Sequence, residues 1–313
     1  MNASPIAGAR MPEGSDRPRR RLADQLRGEG IFYLLVLPFA LLTVVFGLWP
    51  IILSVQVSFT ASATALRPDP QWVGFANYAS VLADELFRAS LWRTLLYTSL
   101  AVVANLAFAL AAALLLDSKL LPRGNMAFRL VLFLPVVTPD VAGYVVWRWL
   151  FDHSFGAVNA ALDLLGLPLF GGLTSVATAT PAILIAELWH HAGFYMVIFL
   201  ANLAIRDPAL EEAAKVDGAG AWARFWHVIL PQLRPAIVIN LVYATIQFLK
   251  TFTVVVVMTK GGPAESTTFV SYLAYQYFDQ ARYGEATAMA TILFGVVILL
   301  SLLAYALGER GRT

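Results

Sequence analysis

Residues 94–116 read TLLYTSLAVVANLAFALAAALLL, an uncharged apolar run. A helix needs about 20 mostly apolar residues to cross the hydrocarbon core of a bilayer. Six stretches of the chain meet that requirement, at residues 31–59, 94–116, 128–151, 181–203, 235–259 and 286–307. Helices are the expected structure, because each backbone amide inside a bilayer must be hydrogen-bonded within its own segment. The sequence therefore predicts an all-α membrane protein with six transmembrane helices.

The composition agrees with a membrane environment. Of the 313 residues, 59% are hydrophobic and 13% are charged, whereas about 25% of the residues of a soluble domain are charged. The chain has no cysteine, which excludes a disulfide framework, a thiolate metal site and a cysteine nucleophile. It also contains no G-x-x-x-x-G-K-[ST] motif for phosphate binding. We predict no catalytic residues, no metal ligands, no bound cofactor and no nucleic-acid partner.

The distribution of basic residues predicts the topology. Six spans place both termini on one side, and 15 of the 22 lysines and arginines fall in or beside the segments on that side. Six fall on the opposite side, and Lys250 lies within a span. Because cytoplasmic segments are enriched in Lys and Arg, both termini are predicted to be cytoplasmic, in a multi-pass protein of the bacterial inner membrane.

The segments outside the six spans are predicted from their length and polarity. Residues 1–30 are polar and are predicted to be a disordered cytoplasmic tail. Residues 309–313 are predicted to form a short cytoplasmic tail. The apolar stretch after residue 30 exceeds the 7–15 residues of a cleavable signal core, which favours a retained first span over a removed signal peptide. In an outer segment, Phe155, Val158, Leu162 and Leu165 recur at helical spacing and predict a short interfacial helix.

The cytoplasmic loop at residues 204–235, AIRDPALEEAAKVDGAGAWARFWHVILPQLRP, predicts two short helices and a sharp turn. Asp207 is a favourable N-cap and Pro208 suits the first helical position. Gly218 can end this helix with a positive φ. A second amphipathic helix is predicted from Trp222 to Leu230, stopping at Pro231. From these features alone, the loop is either an ordinary connector or a surface that docks another protein.

Residues in this loop resemble a known motif. Glu212-Ala213-Ala214-x-x-Asp217-Gly218-Ala219, followed by Phe225, Ile229, Leu230, Pro231 and Pro235, resembles the EAA loop of binding-protein-dependent ABC importer permeases. The resemblance implies a type I permease-like bundle spanning residues 31–308, whose loop holds a coupling helix that docks on an ATP-hydrolysing subunit. It implies a coupling site formed by Glu211, Glu212, Ala213, Ala214, Asp217, Gly218 and Ala219.

Further elements resemble the sugar-importer branch of that family. They are Val73-Gly74-Phe75-x-Asn77-Tyr78, Leu132-Phe133-Leu134-Pro135, Trp147-x-Trp149-Leu150-Phe151, Phe155-Gly156-x-x-Asn159 and Thr259-x-Gly261-Gly262-Pro263. The last element resembles the first of two unlike membrane subunits, with Lys260 at a position that is often Gly. The implied partners are a second homologous permease, two cytoplasmic ATP-binding subunits and an extracytoplasmic solute-binding protein.

Polar residues inside the predicted spans are candidates for a translocation pathway. A charge in the bilayer costs about 2.5–3.5 kcal/mol on insertion scales, so each one requires a partner or a role. Lys250 and Glu187 are predicted to share a depth, and we predict that Lys250 pairs with Glu187 or Asp140. The candidate pathway residues are Glu187, Trp189, Tyr195, Asn240, Tyr243, Gln247 and Lys250. Asn105 and Asn202 could also pair with sugar hydroxyl groups, and Phe248 could stack on a sugar ring. The alternative is that most of them only form interhelical hydrogen bonds.

Two other interpretations of these residues stay open. Adjacent His190 and His191 suggest a metal site or a proton relay, but neighbours on a helix point about 100° apart, which favours structural roles. An ion- or proton-coupled secondary transporter could use Asp140, Glu187, His190 and Lys250 as its relay. That second interpretation does not account for the loop at 204–235.

Overall fold

A computed structural model describes residues 33–62, 71–118 and 125–309. Nearly all of these residues are helical, and the described part contains no β-strand. The helices are α1 (Tyr33–Ser58), α2 (Ala76–Ala83), α3 (Glu85–Asp117), α4 (Asn125–Val137), α5 (Asp140–Leu150), α6 (Ala157–Leu164), α7 (Val176–Ile205), α8 (Pro208–Val216), α9 (Ala221–Gln232), α10 (Arg234–Leu249), α11 (Val270–Asp279) and α12 (Tyr283–Glu309). The tails predicted for 1–30 and 309–313 lie outside the described residues, except that residue 309 ends α12.

The chain divides into two units, and the boundary between them follows Leu53. In the first, the described residues 33–53 form most of α1 and are all exposed. The second unit contains the other helices. Among the described residues, four helices are long and apolar enough to cross a membrane: α1, α3, α7 and α12. If each of two bent helix pairs also counts as one span, the number rises to six. Four predicted spans are thereby confirmed as continuous helices.

The third predicted span, 128–151, is broken rather than continuous. α4 ends at Val137, α5 begins at Asp140, and the two helices meet at 103°. Thr138 precedes Pro139, and a residue before proline is disfavoured in the α conformation. The break places Asp140 in the first turn of α5, where a carboxylate is favoured by the positive end of the helix dipole.

The fifth predicted span, 235–259, is also interrupted. α10 ends at Leu249, with Lys250 as its C-cap, and a separate π-helical turn follows at Val255–Thr259. The cation of Lys250 lies where the last carbonyls of a helix lack partners, which is electrostatically favourable. Both charged residues of this region, Asp140 and Lys250, therefore occupy helix ends.

The prediction that the second helix of the loop 204–235 stops at Pro231 is wrong. α9 continues to Gln232 and meets α10 at 68°. Residues Phe225–Ile229 form a π-helical turn just before the proline. A wider turn accommodates a proline ring that would otherwise clash with the carbonyl four residues earlier.

Small residues allow the central helices to pack closely. Buried Ala101, Ala109 and Ala113 of α3 belong to the same core cluster as Ala182 and Ala186 of α7. Small side chains let helix backbones approach each other, and the resulting van der Waals packing is one of the forces that drive helix association in lipid. A second cluster on α2, α3, α11 and α12 contains Val81, Phe87, Leu273 and Met289.

Two asparagines of the elements that resemble the sugar-importer branch hold segments outside the long helices in place. Asn77 donates to the backbone oxygens of Ser58 and Thr60, at 2.9 and 2.8 Å. Asn159 exchanges two hydrogen bonds with the backbone of Phe170. The predicted short helix is confirmed as α6, although Phe155 and Leu165 lie beyond its ends and are exposed.

Candidate functional site

The loop between α7 and α10 has the predicted helix–turn–helix form. The Asp207 carboxylate accepts a hydrogen bond from the Ala209 amide at 2.9 Å and caps α8. Gly218 adopts a φ of 81°, a conformation that glycine enters without steric cost. α9 begins three residues later, at Ala221. The N-cap, the first helical proline and the glycine turn are therefore confirmed.

The predicted coupling residues divide into two groups by exposure. Glu212, Ala213, Asp217 and Gly218 are exposed, whereas Glu211, Ala214 and Ala219 are half-buried. The exposed group offers a carboxylate and small residues to an approaching surface. Whether these residues contact a partner stays a prediction.

Glu211 faces a cluster of cations rather than solvent. Its carboxylate lies 2.9 Å from the Lys215 ammonium and 3.5 Å from the guanidinium of Arg206. Arg224 of α9 lies 3.8 Å away, and Arg206 also contacts Asp117, at 2.9 Å. The Lys215 contact was readable in the sequence as an i,i+4 pair. No local pattern in the sequence connects Asp117 to this loop, so this contact was not predictable from the sequence.

The charges around Glu211 change its acidity. The hydrogen bond from Lys215, together with the positive charges of Lys215, Arg206 and Arg224, outweighs the effect of partial burial. The pKa of Glu211 is consequently lowered from its ordinary value. The carboxylate is therefore held in its charged form, which strengthens its ion pairs.

A second candidate site is a polar cavity of about 170 Å³ between the broken helices. Its lining includes Asp140, Glu187, His191, Gln247 and Lys250. Glu187 and Lys250, which are predicted to share a depth in the membrane, both line this cavity. The two helix breaks bring together residues from α5, α7 and the end of α10.

The predicted ion pair of Lys250 with Glu187 or Asp140 is wrong. The Tyr144 hydroxyl donates to Glu187 at 2.7 Å, and His191 Nε2 lies 3.3 Å from the other carboxylate oxygen. His190 Nε2 lies 3.1 Å from Asp140. Each carboxylate thus pairs with a different histidine, and within the described residues Lys250 makes no ion pair. Adjacent histidines diverge on the helix, so each reaches a different carboxylate.

The other predicted pathway residues are dispersed. Gln247 lines the cavity with Glu187 and Lys250. Asn240 is buried and donates to the Tyr195 backbone oxygen at 3.2 Å, an interhelical bond. Trp189 lines a separate apolar groove, and half-exposed Tyr243 packs on Phe194 with ring centroids 4.8 Å apart.

Two further polar candidates bond within their own helices. Asn105 donates to Ala101 and Asn202 donates to Ile198. Phe248 is fully buried in the core. Over the described ranges, no three His, Asp or Glu side chains are placed to hold a metal ion.

A model of one protein family, described as "Binding-protein-dependent transport system inner membrane component", matches residues 105–312. The chain belongs to this family. Among relatives of this permease, the trehalose/maltose transport system permease protein MalF of Thermococcus litoralis is 30% identical over 280 residues, covering 90% of this chain and 94% of that protein. The sulfoquinovosyl glycerol transport system permease protein SmoG of Agrobacterium fabrum is 32% identical, covering 84% and 85%.

A solved structure resembles the permease along most of its length. It is a chain of a bacterial alginate ABC transporter in complex with a periplasmic protein that holds an alginate pentasaccharide. The TM-score is 0.82, and the match covers 93% of this chain and 98% of that chain at 24% identity. At this identity the likeness concerns the fold, and it confirms the type I ABC permease-like bundle.

Proposed function

We propose that this permease is one of two unlike membrane subunits of an ATP-driven ABC importer for a sugar or oligosaccharide. In this proposal a second permease completes the pathway, and two cytoplasmic ATP-binding subunits supply the energy. An extracytoplasmic solute-binding protein delivers the solute to the outer face. The chain itself is not an enzyme, and it lies in the bacterial inner membrane with both termini cytoplasmic.

The observation that carries the proposal is the exposed face of the coupling helix α8. Glu212 and Ala213 of α8, and its C-cap Asp217, are exposed in the loop that matches the family motif. Carboxylates at such a surface can form charge-assisted hydrogen bonds with basic residues of a partner, and an alanine permits close approach. ATP binding in the partner subunits then moves α8 and tips the bundle between inward-open and outward-open forms.

The solute class follows from the relatives and from the chemistry of the cavity. The two named relatives belong to systems for trehalose/maltose and for sulfoquinovosyl glycerol, both rich in hydroxyl groups. Gln247, Lys250 and Glu187 offer donors and acceptors suited to hydroxyl groups. A bound sugar is expected to exchange hydrogen bonds with these groups as it passes.

The proposal is tested by co-purification from membranes. The tagged chain is expressed with its encoded neighbours, and an ATP-binding subunit is expected to co-purify. Glu212→Lys reverses an exposed charge on α8 and is expected to reduce capture by about tenfold, which corresponds to about 1.4 kcal/mol. Asp163→Lys makes the same charge change at an exposed position of α6 and serves as the matched control.

The outcomes separate the two transport classes. If no ATP-binding subunit is captured from an intact bundle, and uptake is abolished by an uncoupler, the chain is a gradient-driven transporter instead. The pairs Asp140–His190 and Glu187–His191 would then be the first residues to test as a proton relay. Equal capture by Glu212→Lys and Asp163→Lys would remove Glu212 from the docking surface.

A further inference from the structure

An ionic bridge links the coupling helix to the ends of two long helices. Asp117 is the last residue of α3, Arg206 is the C-cap of α7, and Glu211 lies in the first turn of α8. The Arg206 guanidinium lies 2.9 Å from Asp117 and 3.5 Å from Glu211. We call this set of three residues the Arg206 bridge.

The electrostatics of the helix ends make the bridge more than a surface pair. An aspartate in the last turn of a helix is disfavoured by the negative end of the dipole, so Asp117 needs a nearby cation. Arg206 supplies that charge, and it also lies at the end of α7, where a cation is favoured. All three side chains are less than a third exposed, which reduces screening by solvent and salt.

The connections on either side of α8 are short but can rotate. Two residues, Arg206 and Asp207, join α7 to α8, and residues 217–220 join α8 to α9. Rotation about the backbone of the first connection could absorb a displacement of α8 before it reached α7. The Arg206 bridge opposes that rotation, because turning α8 away separates Glu211 from Arg206. The Asp207 amide adds a second restraint by donating to the Gln232 side chain at 3.1 Å.

We propose that the Arg206 bridge transmits movement of the coupling helix to α3 and α7. Arg206 and Glu211 are then positioning residues for transport, whereas Glu212 on the exposed side of α8 contacts the ATP-binding subunit. This proposal rests on the proposed function. It adds the contacts through which movement of the docking surface on α8 reaches α3 and α7.

The first test uses the complete transporter reconstituted in vesicles. Three variants break the bridge. Arg206→Met removes both of its ion pairs, Asp117→Asn removes the one to α3, and the third combines the two substitutions. We expect each variant to retain its ATP-binding subunit and its basal ATPase rate. Solute uptake per ATP hydrolysed is expected to fall about tenfold in Arg206→Met. Because Asp117 and Arg206 act in series, the double variant is expected to fall no further.

Lys215→Met is the matched control for this experiment. It removes another cation from Glu211, but Lys215 lies on α8 itself, four residues away, so the link to α3 and α7 stays intact. Arg206→Lys is expected to recover part of the uptake per ATP. Unchanged uptake per ATP in Arg206→Met, or an equal loss in Lys215→Met, would overturn the proposal. Loss of the ATP-binding subunit from Arg206→Met would make Arg206 a docking residue and would also overturn it.

A second measurement needs no ATP-binding subunit and so separates this proposal from the proposed function. The chain has no cysteine, so nitroxide labels can be attached specifically at Leu115→Cys on α3 and Val216→Cys on α8, both exposed. We expect one narrow distance distribution in the parent and in Lys215→Met, and a broadened one in Arg206→Met. A distribution that stays narrow in Arg206→Met overturns the bridge, even if the wild-type chain captures no ATPase.

Discussion

Glu187 is a carboxylate buried within a membrane-spanning helix, and only 4% of its surface is exposed. The Tyr144 hydroxyl and the His191 ring contact its two oxygens. Tyr144 is itself buried, so its hydroxyl depends on Glu187 as an acceptor. Such a pair is costly to break, because a polar group left without a partner in the interior keeps its full desolvation penalty.

At this residue scale we predict that Glu187→Leu destabilises the chain by about 1–3 kcal/mol, because the buried Tyr144 hydroxyl loses its acceptor. Adding Tyr144→Phe removes the orphaned hydroxyl, so the double variant should be less destabilised than the sum of the two single variants. Thermal unfolding of the purified chain in detergent micelles measures all three costs. Additive costs would show that the two side chains are energetically independent.

At the scale of elements, α4 and α7 touch at a glycine. A Cβ atom added to Gly193 would lie 2.2 Å from the backbone oxygen of Leu132. A backbone atom cannot move aside as a flexible side chain can, so we predict that Gly193→Ala separates the helices and costs about 1–3 kcal/mol. Gly295→Ala in α12 is the control, since its added Cβ would meet no atom within 4 Å apart from the adjoining backbone of its own helix. Equal thermal stability of the two variants would contradict this packing.

A second prediction at the scale of elements concerns how the stability contributed by the loop between α7 and α10 depends on pH. The Lys215 hydrogen bond and the surrounding cations lower the pKa of Glu211 in the folded chain. A lowered carboxyl pKa adds stability that is fully present above the ordinary value of about 4.3 and is lost as the pH falls through the folded value. We therefore expect the difference in Tm between wild type and Glu211→Gln to be constant from about pH 7 to pH 5 and to shrink below about pH 4.3.

Glu212→Gln is the matched control for that measurement. It removes an exposed carboxylate from the same helix turn, and Glu212 makes no ion pair within the described residues. A difference for Glu211→Gln that grows as the pH falls would mean that its carboxylate opposes folding.

The sequence predicted elements better than it predicted their breaks and contacts. Hydropathy located α3, α7 and α12, because an apolar run of spanning length leaves few other structures in a bilayer. Pro139 was a visible signal for the break at Thr138, but membrane helices tolerate proline, so the signal was ambiguous. The predicted ion pair of Lys250 failed because helical depth does not specify which way a side chain points. The Arg206 bridge joins three separate helices, and no local spacing encodes it.

At the scale of the whole molecule, the orientation in the membrane is predicted from the charges rather than from the helices themselves. The same bundle could be inserted in either direction, and the basic residues favour one direction because they stay in the cytoplasm. The loop at residues 204–235 contains Arg206, Lys215, Arg224 and Arg234, whereas residues 152–180, around α6, contain no lysine or arginine. The proposed function requires the coupling loop to be cytoplasmic, where ATP is available.

Single cysteines test this orientation directly, since the parent chain has none to interfere. Val216→Cys places a thiol on the exposed end of α8, and Asp163→Cys places one at an exposed position of α6. In right-side-out vesicles a membrane-impermeant maleimide is expected to label Asp163→Cys, and to label Val216→Cys only after the membrane is permeabilised. Both thiols should react equally in detergent, which controls for accessibility. The reverse pattern would place α8 outside the cell, away from any ATP-binding subunit, and would contradict both the topology and the coupling role of the loop.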